Sequence, residues 1–350
     1  MTETTKKRKR NVSLDIAKGI LIFLVVWGHS IQMGFGYGYG EAGLYMQDVI
    51  YRGIYSFHMP LFIMISGYLS YNSLNKVNLK DTIISKFKSL IIPIFIWSII
   101  PFIISINNYI NIKELIKLFI TTFSTNLWFL WSLFYINVLV KIINKYFKDN
   151  IYIYILSIII TFILPNTYII KYFNFQFSLY SFMYIYFLLG YFYKKYNLDT
   201  KLNKYINNKT LIINTILFIL LLIPFSKEYY IYTSGINIIG NYKQIFIDLY
   251  RYILGLSGSI EILLLVNLIT NKSNDKVKNK LLYLGKNTLG IYIISSIIHP
   301  FILPNITKNI SNINYLFIFI ETIIILIISI LIIELIKKNK FLSKYLLGEK

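Results

Sequence analysis

The chain contains no cysteine, so disulfides and thiolate metal sites are excluded, and no redox compartment can be inferred. Histidine is nearly as scarce: the three present, His29, His58 and His299, show no HxxxH or HxH spacing, so no dedicated metal centre is expected. Internal repeats, low-complexity linkers and any soluble stretch long enough for a second domain are also missing. The first apolar stretch lacks a small-residue cleavage site, which marks it as a retained span and not a removed signal peptide.

What is abundant is apolar. The 350 residues are 56% hydrophobic and 17% aromatic, far from the balance of a soluble domain. Backbone groups in hydrocarbon must be satisfied within their own segment or a closed barrel, and runs this long mean helices. The expected fold is therefore all-α, a polytopic transmembrane helical bundle. Windows of about 20 residues give ten segments: 12–33, 51–72, 90–108, 127–146, 151–170, 177–193, 210–226, 246–269, 287–303 and 313–336. Around this domain, 12–336, stand a basic N-terminal segment, 1–11, and a basic tail, 337–350.

A formal charge of +21 could point to nucleic acid, but the positions of the basic residues decide otherwise. With Lys6, Lys7, Arg8, Lys9 and Arg10 in the cytoplasm, the alternate loops facing inward hold most of the lysines. They are Lys76, Lys80, Lys86 and Lys88, then Lys141, Lys145 and Lys148, then Lys194, Lys195, Lys201, Lys204 and Lys209, then the loop from Lys272 to Lys286. The outward loops hold only Lys113, Lys117, Lys171, Lys227, Lys243 and Lys308. The excess charge is thus an orientation signal for a multi-pass protein of the cytoplasmic membrane with both ends inside, and no nucleic-acid partner is expected. The first outer loop, Gly34 to Gly40, alternates glycine with aromatic rings and reads as a mobile interfacial segment, with sugar stacking as the second reading.

Ionisable groups inside apolar spans cost a few kcal/mol and face the bundle interior, so they locate chemistry. Asp15 and Lys18 share one helical face near the cytoplasmic side, either as a structural ion pair or as part of a site. His29 follows Lys18 by about 16 Å along the helix at a rise of about 1.5 Å per residue. The second span runs back from outside, and His58 lies about two turns into it, so the hairpin brings both imidazoles to similar depth. A neutral His in a low-dielectric cavity can take the proton of a hydroxyl attacking a thioester, whereas the bland alternative is that each ring only bonds a nearby carbonyl.

The stretch Leu14-Asp15-Ile16-Ala17-Lys18-Gly19, followed by Val25-Val26-Trp27-Gly28-His29-Ser30, Phe57-His58-Met59-Pro60-Leu61-Phe62 and Ile65-Ser66-Gly67-Tyr68, resembles membrane acyltransferase family 3. Its nearest branch is that of sugar O-acetylases of the fucose 4-O-acetylase type. Weaker echoes are Leu127-Trp128-Phe129-Leu130 and the run from Leu284 to Tyr292. The resemblance implies transfer of an acyl group, usually acetyl, from cytoplasmic acetyl-CoA or another acyl-CoA to a carbohydrate hydroxyl at the outer face. It makes His29 the essential catalytic group, Lys18 its basic partner, and Asp15 and His58 supporting residues. Trp128, Ser66, Tyr68, Glu261 and Arg251 are candidates for substrate contact, and Lys86 and Lys88 for the donor's phosphates. The family often has Arg at the position of Lys18 and a paired Arg where Lys86 and Lys88 stand, and Lys lacks the bidentate fork. It also tends to place a His directly after the tyrosine of the ninth-span motif; here His299 comes later and receives no catalytic role.

Arg251, three residues after Asp248, reads first as a self-neutralising pair and second as a contact for an anionic acceptor. Glu261 must face a cavity or carry a proton, while Glu321 and Glu334 are expected at the interfaces. The rival class is a secondary transporter or flippase that uses Asp15, Lys18, His29 and Glu261 as a polar pathway. The inverted repeats common in such proteins are not visible.

Overall fold

A computed structural model describes residues 11–36, 40–41, 43–106, 111–166, 176–202, 205–236, 241–307, 310 and 313–349. Lys6 to Arg10, and Tyr37, Gly38 and Tyr39 of the first outer loop, lie outside them, as do Lys171, Lys204, Lys308 and Lys350. Among the described residues every regular element is helical. The chain runs through α1 (Val12–Gly34), α2 (Val49–Lys76), α3 (Leu79–Ser105), α4 (Ile112–Thr125), α5 (Trp128–Tyr146), α6 (Ile151–Ile163) and α7 (Phe177–Lys195). It continues through α8 (Asn208–Leu222), α9 (Tyr242–Lys272), α10 (Asp275–Lys286), α11 (Thr288–Thr307), α12 (Tyr315–Lys337) and a short α13 (Lys340–Leu346). Asn starts many of them: Asn11, Asn111, Asn207 and Asn314 each accept a bond from the first-turn backbone, satisfying a donor the helix cannot.

Ten of these helices fall on the ten expected segments, but five (α1, α3, α9, α11 and α12) are long and apolar enough by themselves to cross a membrane. The count reaches six if the bent pair α4 and α5 is one span. Two of the expected segments are cut short: α6 and α8 end before Pro165 and Pro224, at 13 and 15 residues, where the proline ring leaves no N–H to continue the helical ladder. α4 was expected as loop. It is an amphipathic helix that turns Ile112, Ile116 and Ile120 outward and meets α5 at 67°.

Small residues set the closest crossings. A Cβ on Gly67 would stand 2.0 Å from the Phe187 carbonyl oxygen, and one on Gly190 1.8 Å from that of Met64, so α2 and α7 touch backbone to backbone. Gly19 and Gly285 do the same between α1 and α10. Facing outward, α12 presents Leu316, Ile320, Ile324, Ile327, Leu331 and Leu335, and α6 presents Ile151, Ile155, Ile159 and Ile163. Apolar faces of this extent suit hydrocarbon, which identifies a multi-pass α-helical membrane protein.

The connections sort into two ends. At one, Asn144 donates to Asn75 at 2.7 Å, Lys195 pairs with Asp149, and Tyr191 donates to Asp149 at 3.1 Å, joining three of the lysine-rich loops. At the other, Tyr230 donates to the Met46 carbonyl at 3.0 Å and Tyr315 to Asp48, joining three of the lysine-poor ones. The C-terminal segment is docked: Trp97 on α3 donates its indole N–H to the Leu346 carbonyl at 2.9 Å.

Candidate active site

Two cavities lie one above the other along α1. Lys18 and Ile22 line the smaller, of about 160 Å³, and His29, Gln32 and Met33 line the larger, of about 360 Å³, while Val25 lines both. These positions recur at three and four residues, so a single stripe of α1 faces the whole path. The partner wall is α2, where Tyr51, Tyr55 and His58 face the larger cavity, Phe62 and Ser66 the smaller, and Met59 both. Tyr292 of α11 is the third residue common to the two.

The larger cavity gathers all three histidines with a set of tyrosines and Trp128. His58 is held by its own helix: Nδ1 donates to the Ile54 carbonyl at 2.8 Å, which leaves the lone pair on Nε2. Tyr55 stacks on Tyr51 with centroids 3.8 Å apart and meets the His29 ring edge-on at 6.0 Å. The Tyr55 hydroxyl lies 3.1 Å from His29 Nδ1 and donates to Gln32 Oε1 at 3.4 Å. One hydroxyl has one proton, so with that proton on Gln32 the His29 Nδ1 is the donor to Tyr55, and Nε2 carries the lone pair.

His299, which receives no catalytic role on sequence, lies in the same cavity. Its ring centroid is 5.4 Å from that of His29. It sits in a π-turn, Ile298–Ile302, whose Pro300 has no N–H to continue the ladder, and the widened turn swings the ring into the cavity. Nδ1 donates to the Ser295 carbonyl at 2.7 Å, and Nε2 accepts from Ser30 Oγ at 3.1 Å. Tyr292, Ser296 and His299 all line the cavity from one face. That four-then-three spacing was the signal available in the sequence.

The other expected residues divide. Trp128 lines the histidine cavity, at the start of α5 and directly after Leu127, whose positive φ of 52° reverses the chain out of α4. Asp15 is buried and pairs with Lys18 at 2.8 Å, beside the smaller cavity and not the histidines. Ser66 lines that smaller cavity but donates its hydroxyl to the Phe62 carbonyl at 2.9 Å. Lys86 and Lys88 line neither cavity; they precede the wall residue Leu90, at the start of α3's π-turn, Phe87–Ile91.

Three substrate-contact candidates lie elsewhere. Tyr68 points away to Asp199, donating at 3.0 Å. Glu261 accepts from Asn214 at 2.8 Å and Thr215 at 2.7 Å, so α8 answers its charge and no cavity is needed. Arg251 is 3% exposed, pairs with Asp248 at 2.6 Å, and donates to the carbonyls of Glu228, Tyr229, Tyr230 and Gly235. Its work is to hold the 228–235 loop, from which Tyr230, Tyr232 and Thr233 line the cavity. Glu321 is 7% exposed and packs against Gly34 at the end of α1, and neither carboxyl oxygen has a hydrogen-bond partner among the described residues. No cluster of metal-ligating side chains occurs among the described residues.

The nodulation protein NolL of Mesorhizobium japonicum is 29% identical over 161 residues, covering 45% of this chain and 42% of that protein. NolL of Sinorhizobium fredii is 26% identical over 207 residues, covering 58% and 54%. The chain thus spans about half the length of the curated relatives it matches. No solved structure matches it. The acyltransferase 3 family model, described as an acyltransferase domain, covers residues 11–334, nearly all of the sequence, and the chain belongs to that family.

Proposed function

We propose that the protein is a membrane O-acyltransferase with about ten spans, both ends cytoplasmic, that moves an acetyl group from cytoplasmic acetyl-CoA to a hydroxyl of a cell-surface carbohydrate. The observation that carries this reading is the stripe Lys18, Ile22, Val25, His29, which lines two stacked cavities running from the lysine-rich end to the histidines. The donor enters at that end, where Lys86 and Lys88 stand beside the Leu90 wall and offer positive charge to its phosphates. The acceptor enters the larger cavity, whose aromatic walls match the apolar faces of a sugar ring and whose volume is of the order used by small-molecule sites.

In the reaction, His29 Nε2 takes the proton of the acceptor hydroxyl, and that oxygen attacks the thioester carbonyl carbon. The C–O bond forms, the C–S bond breaks, and the proton passes to the departing thiolate sulfur, so the balance closes with no metal and no redox step. Tyr292, common to both cavities, supplies an O–H for the developing oxyanion. Tyr55 and Gln32 hold His29 in the tautomer this requires.

A carrier would need its acidic groups along the path. Here Asp15 is bound to Lys18 and Glu261 to Asn214 and Thr215, away from the histidines. Purified protein given radiolabelled acetyl-CoA and a panel of oligosaccharides tests the reading. Label on an oligosaccharide, lost in His29→Ala, supports it; uptake of the acceptor into vesicles without acetylation supports the carrier.

A further inference from the structure

The two cavities share a wall of three residues, called the neck below, and that wall has a composition of its own. Val25 on α1, Met59 on α2 and Tyr292 on α11 are the three residues that line both sides. Val25 and Met59 are 2% and 5% exposed, and both belong to the main hydrophobic core. Below the neck the smaller cavity is walled by Ile22, Phe62, Leu90, Phe129 and Leu133, with Lys18 as its charged residue. Above it stand the three histidines. A donor arriving from the Lys18 side must put its acyl carbon level with Tyr292 before a hydroxyl held at His29 can reach it. Whatever lies beyond that carbon in the acyl chain has to fit past Val25 and Met59.

We propose that Val25 and Met59 form the acyl-length gauge of the enzyme, selecting acetyl over longer acyl groups and keeping the charged part of the donor on the inner side. This inference rests on the proposed function and deepens it. A valine is stiff at χ1 and sets one fixed wall. A methionine is adaptable and closes what is left, which makes a neck that a two-carbon group passes and a four-carbon group does not. An apolar pocket discriminates by about 10- to 200-fold for each methylene that does not fit. Tyr292 brings the one hydroxyl among the three shared residues.

The test is a competition in which wild-type protein and variants receive equal acetyl-CoA and butyryl-CoA, and the ratio of butyrylated to acetylated acceptor is read by mass spectrometry. Val25→Ala and Met59→Ala should each raise that ratio at least tenfold, and the near-isosteric Met59→Leu should leave it at the wild-type value. Val25→Phe should lower acetyl transfer and abolish what butyryl transfer the wild type has. Because the ratio is internal to each sample, a variant that folds less well still reports, and either alanine variant alone is sufficient. An unchanged ratio in an active Val25→Ala or Met59→Ala protein overturns the gauge while leaving the acyltransferase reading intact, provided His29→Ala is inactive. If the wild type transfers no acyl group from any CoA donor, the functional reading falls and the gauge with it.

Discussion

Each histidine ring of the larger cavity has one nitrogen committed to a neighbour, and the neighbours differ. His58 and His299 give Nδ1 to carbonyls of their own helices, Ile54 and Ser295, whereas His29 reaches across to Tyr55 on α2. His299 also has Nε2 occupied, by Ser30. That ordering predicts the severity of substitution. His29→Ala is expected to lower kcat by about 10²–10⁴, the usual worth of a general base, with donor KM little changed in a steady-state acetyl-transfer assay. Tyr55→Phe, which removes the hydroxyl that receives the Nδ1 proton, should cost a smaller part of the same factor. Glu321 gives a prediction of opposite sign. Its carboxyl is buried with no hydrogen-bond partner of good geometry among the described residues, so Glu321→Leu should raise stability by about 1–3 kcal/mol, seen as a higher midpoint in a thermal unfolding scan in detergent. A lower midpoint would mean that the carboxyl is satisfied in the working protein.

Among the elements, the helix pairs that hold the path depend on glycine. Gly190→Val would drive side-chain atoms into the Met64 carbonyl and part α7 from α2, which carries His58. Loss of the monodisperse peak in size-exclusion chromatography is the expected result. Arg251 works at the same scale, tying α9 to the loop that supplies Tyr230 and Tyr232. Arg251→Ala leaves Asp248 buried without its cation and should lower stability by about 3–5 kcal/mol. In the double variant Arg251→Met/Asp248→Leu much of that loss should return, whereas activity should not, since the loop has lost its donor. Element boundaries were legible in sequence where period and length agreed, as for α1, α5 and α12. They were not legible where tertiary context decided: α4 reads as loop because it is short and turns an apolar stripe outward, whereas His299 keeps a readable four-then-three spacing after Tyr292 and Ser296.

At the level of the whole molecule, the sequence carried the helical class and the pairing of α1 with α2 better than it carried the full lining of the candidate site. Lys18, His29 and His58 were legible because charge and imidazole are costly in apolar helices and therefore stand out. The tyrosines that build the cavity were not, since 31 tyrosines spread through the chain offer no contrast. Arg251 and Glu261 stood out in sequence for the same reason Lys18 did, and the structure gives each a set of partners outside the two cavities. The absence of cysteine makes topology directly testable: each introduced thiol is unique. A membrane-impermeant maleimide should label Lys227→Cys on intact cells and Lys276→Cys only after permeabilisation.

The account's central claim is that an acyl group offered at one face of the membrane reaches a hydroxyl at the other through the Val25 neck and past His29. Proteoliposomes of uniform orientation, with labelled acetyl-CoA confined to the lysine-rich face and the oligosaccharide acceptor to the opposite face, measure this in one step. The account predicts acetylated acceptor on the far side with wild-type protein and none with His29→Ala. Transfer that occurs only when donor and acceptor share a face, or that survives in His29→Ala, would contradict it.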